Sequence, residues 1–234
     1  MKNILFMIVV ALYCGQAWSM AEDNPLTAMA LFDQFEYTAG DGESGAAWDM
    51  NMWVGKDIDK FRLLTDGEYR DSSADGFFRL LYSRSILPFW DLAGGWRREF
   101  GGGDQWDAAT VEILGTMPHN VSTEASLSIG EHGQTLLWGR FEYGVNFNAR
   151  SPRWLLSPEL EFNVYGKDEA TTGIGRGLSD IELGLRMHRQ IRPNFSPYIG
   201  INWHQQFGAT ADFSRARGQD TSELRWVIGL QFWF

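Results

Sequence analysis

Cysteine and basic residues are both scarce in this chain of 234 residues. The one cysteine, Cys14, falls within the first 21 residues, which resemble a removable leader. We therefore predict a mature chain without disulfide bonds or thiolate metal sites. The 20 Lys and Arg residues are outnumbered by 30 Asp and Glu residues, which gives a formal net charge of -10. Because its cations are few and scattered, the chain is not expected to bind nucleic acid.

Long apolar runs are absent after the first twenty or so positions, so the sequence predicts no membrane-spanning helix. Lys2 supplies a basic start, Ile4–Tyr13 is a short apolar stretch, and Ser19 and Ala21 are small residues suited to signal peptidase. Tyr13 is too bulky for the position before a lipoprotein cysteine. The predicted organisation has three parts: a cleaved signal peptide over residues 1–21, a short periplasmic segment over 22–28 and a β-domain over 29–234.

Enzyme motifs are also missing. The chain contains no GxxxxGK[ST], HExxH or CxxC sequence. An outer-membrane hydrolase would need a Ser–His pair on the lipid-facing surface, whereas the strand pattern directs His204 inward. We therefore predict that the protein is not an enzyme.

The chain contains many short segments in which apolar and polar residues alternate. In the last segment, Leu224, Trp226 and Ile228 fall on one face, while Glu223 and Arg225 fall on the other. Strict alternation indicates a β-strand. About twelve such segments are predicted, beginning near Met29, Ala47, Lys60, Phe77, Phe89, Asp107, Val121, Gln134, Trp154, Ser179, Phe195 and Ser222.

Alternating strands suit either a soluble barrel or sandwich, or a membrane barrel in which the apolar face meets lipid. The polar faces are rich in Glu, Arg, Asn and Gly, and aromatic residues concentrate near strand ends, which favours the membrane barrel. The chain ends at Phe234 on a strand, and a terminal Phe matches the signal that the bacterial barrel-assembly machinery reads. We predict an all-β fold, a transmembrane antiparallel up-and-down β-barrel of about 12 strands, surrounded by outer-membrane lipid.

The connections support the same fold because their character alternates. One set is tight and often contains proline, as in Ser85–Pro88 and Gln190–Asn194. The other set is longer and rich in Gly and Asp, as in Gly166–Gly177 and Gly208–Thr221. Short periplasmic turns and long outer loops alternate in this way in outer-membrane barrels. An even number of strands then puts both termini in the periplasm.

Several segments resemble the copper resistance protein B family of outer-membrane proteins. They are Leu31–Gly42, Leu81–Gly94, Leu160–Gly200 with its YGKD and GxGxGLSDxELGLR stretches, and the tail Phe207–Phe234 ending in GLQFWF. The resemblance covers essentially the whole predicted mature chain. It implies a barrel that takes part in copper homeostasis and resistance, copper as its ion, and a periplasmic multicopper oxidase as a possible partner.

The chain departs from this family at its start. Many members carry a Met- and His-rich segment before the first strand, whose soft ligands would suit Cu(I). The predicted segment Glu22–Ala28 contains neither residue type. We therefore expect copper passage or permeability control and not sequestration. The alternative is a generic small porin or structural barrel without a copper role.

Charged residues on two adjacent predicted strands are the candidate functional residues. The lumen candidates are Glu159, Glu161, Asp180, Glu182 and Arg186. On one interpretation, an inward ring of carboxylates attracts cations into a pore. On the other, these groups pair with Arg140, Arg186 and Arg225 and fill a small barrel.

Two histidines, His188 and His204, are the candidate metal ligands, and both are predicted to face the lumen. In the predicted register, His188 lies beside a position near 197 and His204 beside one near 181. That separation is roughly seven rungs, or ~20 Å, so the two do not share an ion. The two remaining histidines lie in connections, His119 in a periplasmic turn and His132 in an outer loop.

Overall fold

The structure is a computed structural model, and it describes residues 24–40, 43–70, 72–101, 106–131, 133–147 and 153–234. The predicted signal peptide and His132 lie outside these residues. The described elements are β1 (Thr27–Gly40), β2 (Glu43–Gly55), β3 (Asp59–Arg70), β4 (Ser73–Leu87), β5 (Trp90–Phe100), β6 (Asp107–Met117), β7 (Val121–Gly130), β8 (Thr135–Tyr143), β9 (Val145–Asn146), β10 (Arg153–Tyr165), β11 (Gly177–Gln190), β12 (Phe195–Gln206), α1 (Gly208–Ala216) and β13 (Ser222–Trp233).

Apart from the short β9, every strand pairs with the strands that precede and follow it, and the sheet closes where β1 pairs with β13. The two-residue strand β9 continues β8 after an interruption at Gly144, since both pair with β10. The thirteen segments therefore form a closed, antiparallel barrel of twelve strands, as the sequence predicted. Closure gives each strand two partners, which a barrel in hydrocarbon requires because unpaired backbone groups there cost several kcal/mol each.

Apolar side chains cover the outside of the barrel and charged side chains face its inside. Ile199 and Ile228 are 62% and 59% exposed, whereas Glu159 and Arg186 are buried. This arrangement is the reverse of a soluble barrel and confirms the predicted assignment of faces. Outward side chains of this kind are stable where lipid replaces water.

The strands extend further than the sequence predicted, especially at the outer ends. β4 begins at Ser73 and not near Phe77, and β1 begins at Thr27, two residues before Met29. The stretch around Arg70–Gly76, which the spacing of the predicted strands leaves as a connection, is therefore strand at Arg70 and over Ser73–Gly76. Polar and Gly-rich residues in this stretch resemble a loop in sequence, but the ladder between β3 and β4 reaches Arg70 and Ser73.

The predicted outer loop Gly208–Thr221 contains a helix, α1, which the sequence analysis did not anticipate. Its Thr210 hydroxyl accepts a hydrogen bond from the Gly175 amide at 2.8 Å and lies 3.0 Å from the Ser179 hydroxyl. Arg217, just after the helix, donates to the Ala170 carbonyl at 2.8 Å. The helix thus joins two outer connections. No helix in the described part of the chain is long and apolar enough to cross a membrane.

Candidate functional site: the charged lumen

Arg140 on β8 connects opposite walls of the barrel. Its guanidinium donates to Asp66 on β3 at 2.8 Å, to Glu161 on β10 at 3.0 Å, and to Asp49 on β2. Because β2 lies six strands from β8 in a ring of twelve, the pair with Asp49 crosses the full width of the lumen. Charge-assisted hydrogen bonds of this kind are among the stronger polar contacts in proteins.

Arg186 on β11 makes a second connection through the lumen. It donates to Glu36 on β1 at 2.6 Å and to Glu159 on β10 at 3.0 Å. Gln34, also on β1, donates to the other oxygen of Glu159 at 3.2 Å. The three charged side chains are each at most 6% exposed. Both buried carboxylates therefore pair with the Arg186 guanidinium, and the three side chains form one packed unit.

Arginine side chains also alternate with aromatic rings inside the barrel. The guanidinium carbon of Arg97 lies 3.8 Å from the centre of the Phe77 ring, and that of Arg79 lies 4.9 Å from it. Arg79 lies 4.6 Å from the Trp138 ring, with Arg140 at 5.3 Å from the same ring. Cation–π contacts hold desolvated guanidinium groups in place. We call these five residues the Arg–aromatic stack.

Burial of the inward side chains distinguishes a filled lumen from an open pore. Trp138 is 1% exposed, Arg79 is 2% exposed and its ion-pair partner Glu112 is 1% exposed. Side chains lining a water-filled channel would be accessible to solvent. The middle of the lumen is therefore packed by its own side chains, which is the second of the two interpretations that the sequence left open.

At the outer end, the lumen widens into a cavity of about 570 Å³. Trp106, Tyr165 and Glu99 line it, and Glu161 and Trp138 of the packed region also border it. The Trp106 indole donates to Glu99 at 2.6 Å. The cavity and the packed region together resemble a vestibule that ends at a closed constriction.

The predicted lumen residues all face inward, but the structure divides them between different contacts. Glu159 and Arg186 form an ion pair with each other, whereas Glu161 pairs with Arg140. Asp180 accepts a hydrogen bond from Asn163 at 2.8 Å, and Glu182 accepts one from Asn202 at 2.5 Å. Arg225, the third predicted lumen cation, pairs with Glu68 and Glu223.

The two candidate metal ligands lie far apart. His188 pairs in the ladder with Tyr198, and His204 pairs with Glu182, within one residue of the predicted positions near 197 and 181. The separation is then six rungs, again ~20 Å. His204 approaches Asp180 at 4.0 Å, whereas neither ring nitrogen of His188 has a hydrogen-bond partner among the described residues.

A metal centre is not formed by these residues. Within the described ranges, no three His, Cys, Asp or Glu side chains are close enough together to hold a metal ion. His119 has a left-handed backbone, φ 70°, in its periplasmic turn.

Several of the residues that close the lumen were not predicted from the sequence. Asp49 and Asp66 were not recognised as partners of Arg140, because their strands are distant in sequence. Trp138 was missed since alternation assigns tryptophan to the lipid face, whereas here it lies inside. A usable signal existed for Arg79 and Arg97, because each lies in phase with the inward side chains of its own strand.

Phe234, the predicted assembly signal, directly follows β13, the strand that closes the barrel. Its amide donates to the Ala30 carbonyl at 3.1 Å, and its own carbonyl accepts from the Ala30 amide at 2.9 Å. Its ring lies 5.9 Å from that of Phe32 and is 63% exposed. The residue thus contributes to closure and leaves its ring accessible at the periplasmic end.

Replacing Phe234 with aspartate is expected to impair assembly, because a charge would replace the ring beside Phe32. The measurement is heat-modifiable migration of the membrane fraction on a gel, with Phe234→Tyr as the control that keeps an aromatic ring. A Phe234→Asp protein with as much compact folded band as the parent would contradict the assembly role.

Comparisons with known proteins identify first the class and then the family. Two solved outer-membrane channels share the fold: the NanC porin, with a TM-score of 0.57 and 12% identity, and the KdgM porin, with a TM-score of 0.52 and 13% identity. They match 87% and 88% of this chain, respectively, and 98% of each porin. The protein thus has the closed β-barrel fold of these two porins.

The family follows from sequence comparison. The protein-family model described as copper resistance protein B precursor (CopB) matches residues 26–234 of this chain. The copper resistance protein B homolog of Pseudomonas syringae pv. tomato (strain ATCC BAA-871 / DC3000) is 31% identical over 96% of this chain and 76% of its own length. Copper resistance protein B of Escherichia coli is 32% identical over 91% of this chain and 71% of its own length. The chain belongs to the copper resistance protein B family.

Proposed function

We propose that this barrel contributes to copper resistance by controlling passage through the outer membrane and not by sequestering copper. The observation that carries the proposal is the pair of arginines, Arg140 and Arg186, which bridge carboxylates on distant strands inside the lumen. Passage requires these ion pairs to separate. The lumen therefore resembles a gate whose closed state is stabilised by charge pairing.

Charge and donor chemistry support passage over storage. The inward face is rich in carboxylates, and a negative lumen favours cations over anions. Carboxylate oxygens are hard ligands, whereas Cu(I) prefers thioether and thiolate sulfur or imidazole. A route lined by poor copper ligands would release the ion instead of retaining it.

Growth on graded copper tests the proposed role. The parent gene should restore copper tolerance to a deletion strain. The Arg140→Gln variant should give a different copper tolerance from the parent, because loss of the Arg140 ion pairs opens the lumen. Arg215→Gln, at an exposed ion pair on α1, is the matched control and should behave as the parent. Equal copper tolerance of the deletion strain and its parent would contradict the copper role and favour the generic porin or structural barrel.

Weak copper binding is the second expected result. The refolded mature barrel should show no tight stoichiometric site for Cu(I), and any binding should come from lumen carboxylates such as Glu159, Glu161 and Glu182. The measurement is a Cu(I) titration in competition with a calibrated chelator. A tight site that disappears in His188→Ala or His204→Ala would contradict passage and support sequestration.

A further inference from the structure

A groove of about 610 Å³ crosses the outward, lipid-facing surface of the barrel. Two neighbouring rungs of side chains form much of it. The first rung contains Tyr37, Ile228, Ile199 and Met187, which pair in sequence across four strands. The second contains Leu230, which pairs with Pro197. The large apolar side chains of these two rungs stand above the surface between them, so this part of the barrel surface is grooved and not flat.

The groove runs diagonally through the membrane. It extends from Ala46, near the outer end of β2, to Trp154 at the periplasmic end of β10. Five steps between adjacent strands separate these residues, which at ~4.8 Å a step gives a length of about 24 Å. Strands in such barrels tilt by about 35–45°, so the part of the groove from Tyr37 to Arg189, three strand steps and two residues along a strand, descends through roughly 15 Å of membrane depth. That depth is about half of the ~30 Å hydrocarbon core, the share of one leaflet.

A cation lies at the periplasmic end of the groove. Arg189 pairs with Trp154 in the ladder, and its guanidinium carbon lies 5.5 Å from the centre of the Trp154 ring. Arg189 is exposed on the outward face, and no carboxylate among the described residues pairs with it. Long cationic side chains at a membrane interface extend toward the headgroups.

The charged side chains near the periplasmic end of the groove are cationic, and Glu36, which borders the groove further up, is paired with Arg186 inside the barrel. Residues 143–158 and 183–211 contain no Asp or Glu, although the net charge of the chain is -10. Arg153 and Arg192 lie at the same periplasmic end as Arg189. A cluster of arginines without acids beside an apolar channel complements an anionic headgroup on an acyl chain.

We propose that this groove binds one diacyl phospholipid of the periplasmic leaflet. Its phosphate contacts Arg189 beside Trp154, and one acyl chain follows the groove between Ile199 and Leu230 toward Tyr37. The proposed lipid contacts Arg189, Ile199 and Leu230 lie on the outward face, whereas Glu36 and Tyr198, which also border the groove, face the lumen. A bound lipid would hold β10–β13 and β1 together at the strands that close the barrel.

Native mass spectrometry of the folded, full barrel tests the proposal, with dioleoyl phosphatidylglycerol as the probe. The parent should retain one probe molecule at detergent levels that remove other lipid. Arg189→Gln should lower occupancy about tenfold through loss of a charge-assisted contact. Ile199→Trp, which fills the channel, should lower it similarly. Arg84→Gln is the matched control, because Arg84 is also outward-facing at a periplasmic strand end but lies away from the groove.

Three results would overturn the proposal. Unchanged occupancy in both Arg189→Gln and Ile199→Trp would show that the groove does not hold the probe. An equal loss in Arg84→Gln would show unspecific attraction to the barrel surface. Retention of lipopolysaccharide in place of phospholipid would assign the groove to the other leaflet. The compact band on a gel confirms that each variant is folded, and the copper phenotype is measured separately, so failure here leaves the lumen proposal intact.

Discussion

Replacing Arg140 with glutamine is expected to lower the free energy of unfolding by about 3–5 kcal/mol, the cost of leaving buried charges without their partner. Asp49, Asp66 and Glu161 would face one another across the lumen without a cation. The same change should increase ion conductance, because repelling carboxylates separate and admit water. Denaturant unfolding in lipid vesicles and planar-bilayer recording measure the two effects.

The control for this prediction is Arg215→Gln, which removes an ion pair whose side chains are 61% and 76% exposed. Exposed pairs contribute about 0–1 kcal/mol, so stability and conductance should stay near those of the parent. If Arg140→Gln left both quantities unchanged, the lumen pairs would not be the constriction, and the proposed gate would have to lie in the outer connections.

Placing arginine at Leu183 is expected to destabilise the barrel by about 2–4 kcal/mol, because the charge would meet hydrocarbon near the middle of the membrane. Leu183 lies at the middle of β11 and is 42% exposed on the outward face. Ile228, 59% exposed near the middle of β13, should respond in the same way. Reversible unfolding in vesicles, followed by tryptophan fluorescence, measures the loss.

Leu224→Arg is the matched control for depth. Leu224 is also outward-facing, 48% exposed, but it is the third residue of β13 and lies near the outer interface. An arginine there should cost only about 0–1 kcal/mol. Equal costs at Leu183 and Leu224 would mean that depth does not govern the penalty, and neutral behaviour at Leu183 and Ile228 would mean that the two faces are inverted.

These two predictions concern opposite faces of the same strands. On the outward face a new charge is costly because no partner or water is present. On the inward face an existing charge is stable only because its partners come from other strands. The alternation of residues along each strand therefore places apolar side chains against lipid and charged side chains in the network that fills the lumen.

Alternation along the chain was sufficient to predict the architecture. Leu224, Trp226 and Ile228 opposite Glu223 and Arg225 define a strand with one apolar and one polar face, and this depends only on neighbours within a few residues. Closure into twelve strands followed from the number of such segments and the alternating lengths of their connections. The helix α1 was missed because Gly208–Thr221, which contains Gly and Asp, was interpreted as an outer loop, and nine residues give a helix only about two and a half turns.

The family was also accessible from sequence, because its motifs are local strings such as YGKD and GLQFWF. The lumen residues Glu159, Glu161, Asp180, Glu182 and Arg186 were placed on the correct face for the same reason. Their phase along the strand determines which side of the sheet they occupy. Phase does not determine which partner each residue meets.

The state of the lumen was decided only by the tertiary structure. Arg140 meets Asp49 across 91 positions of sequence, and Arg186 meets Glu36 across 150. Barrel diameter, strand tilt and register together determine whether such charges touch or remain separated by water. Because these quantities belong to the closed sheet and not to any one strand, the sequence favoured a filled lumen but left a cation-attracting pore open. The contacts in the closed barrel are those of the filled lumen.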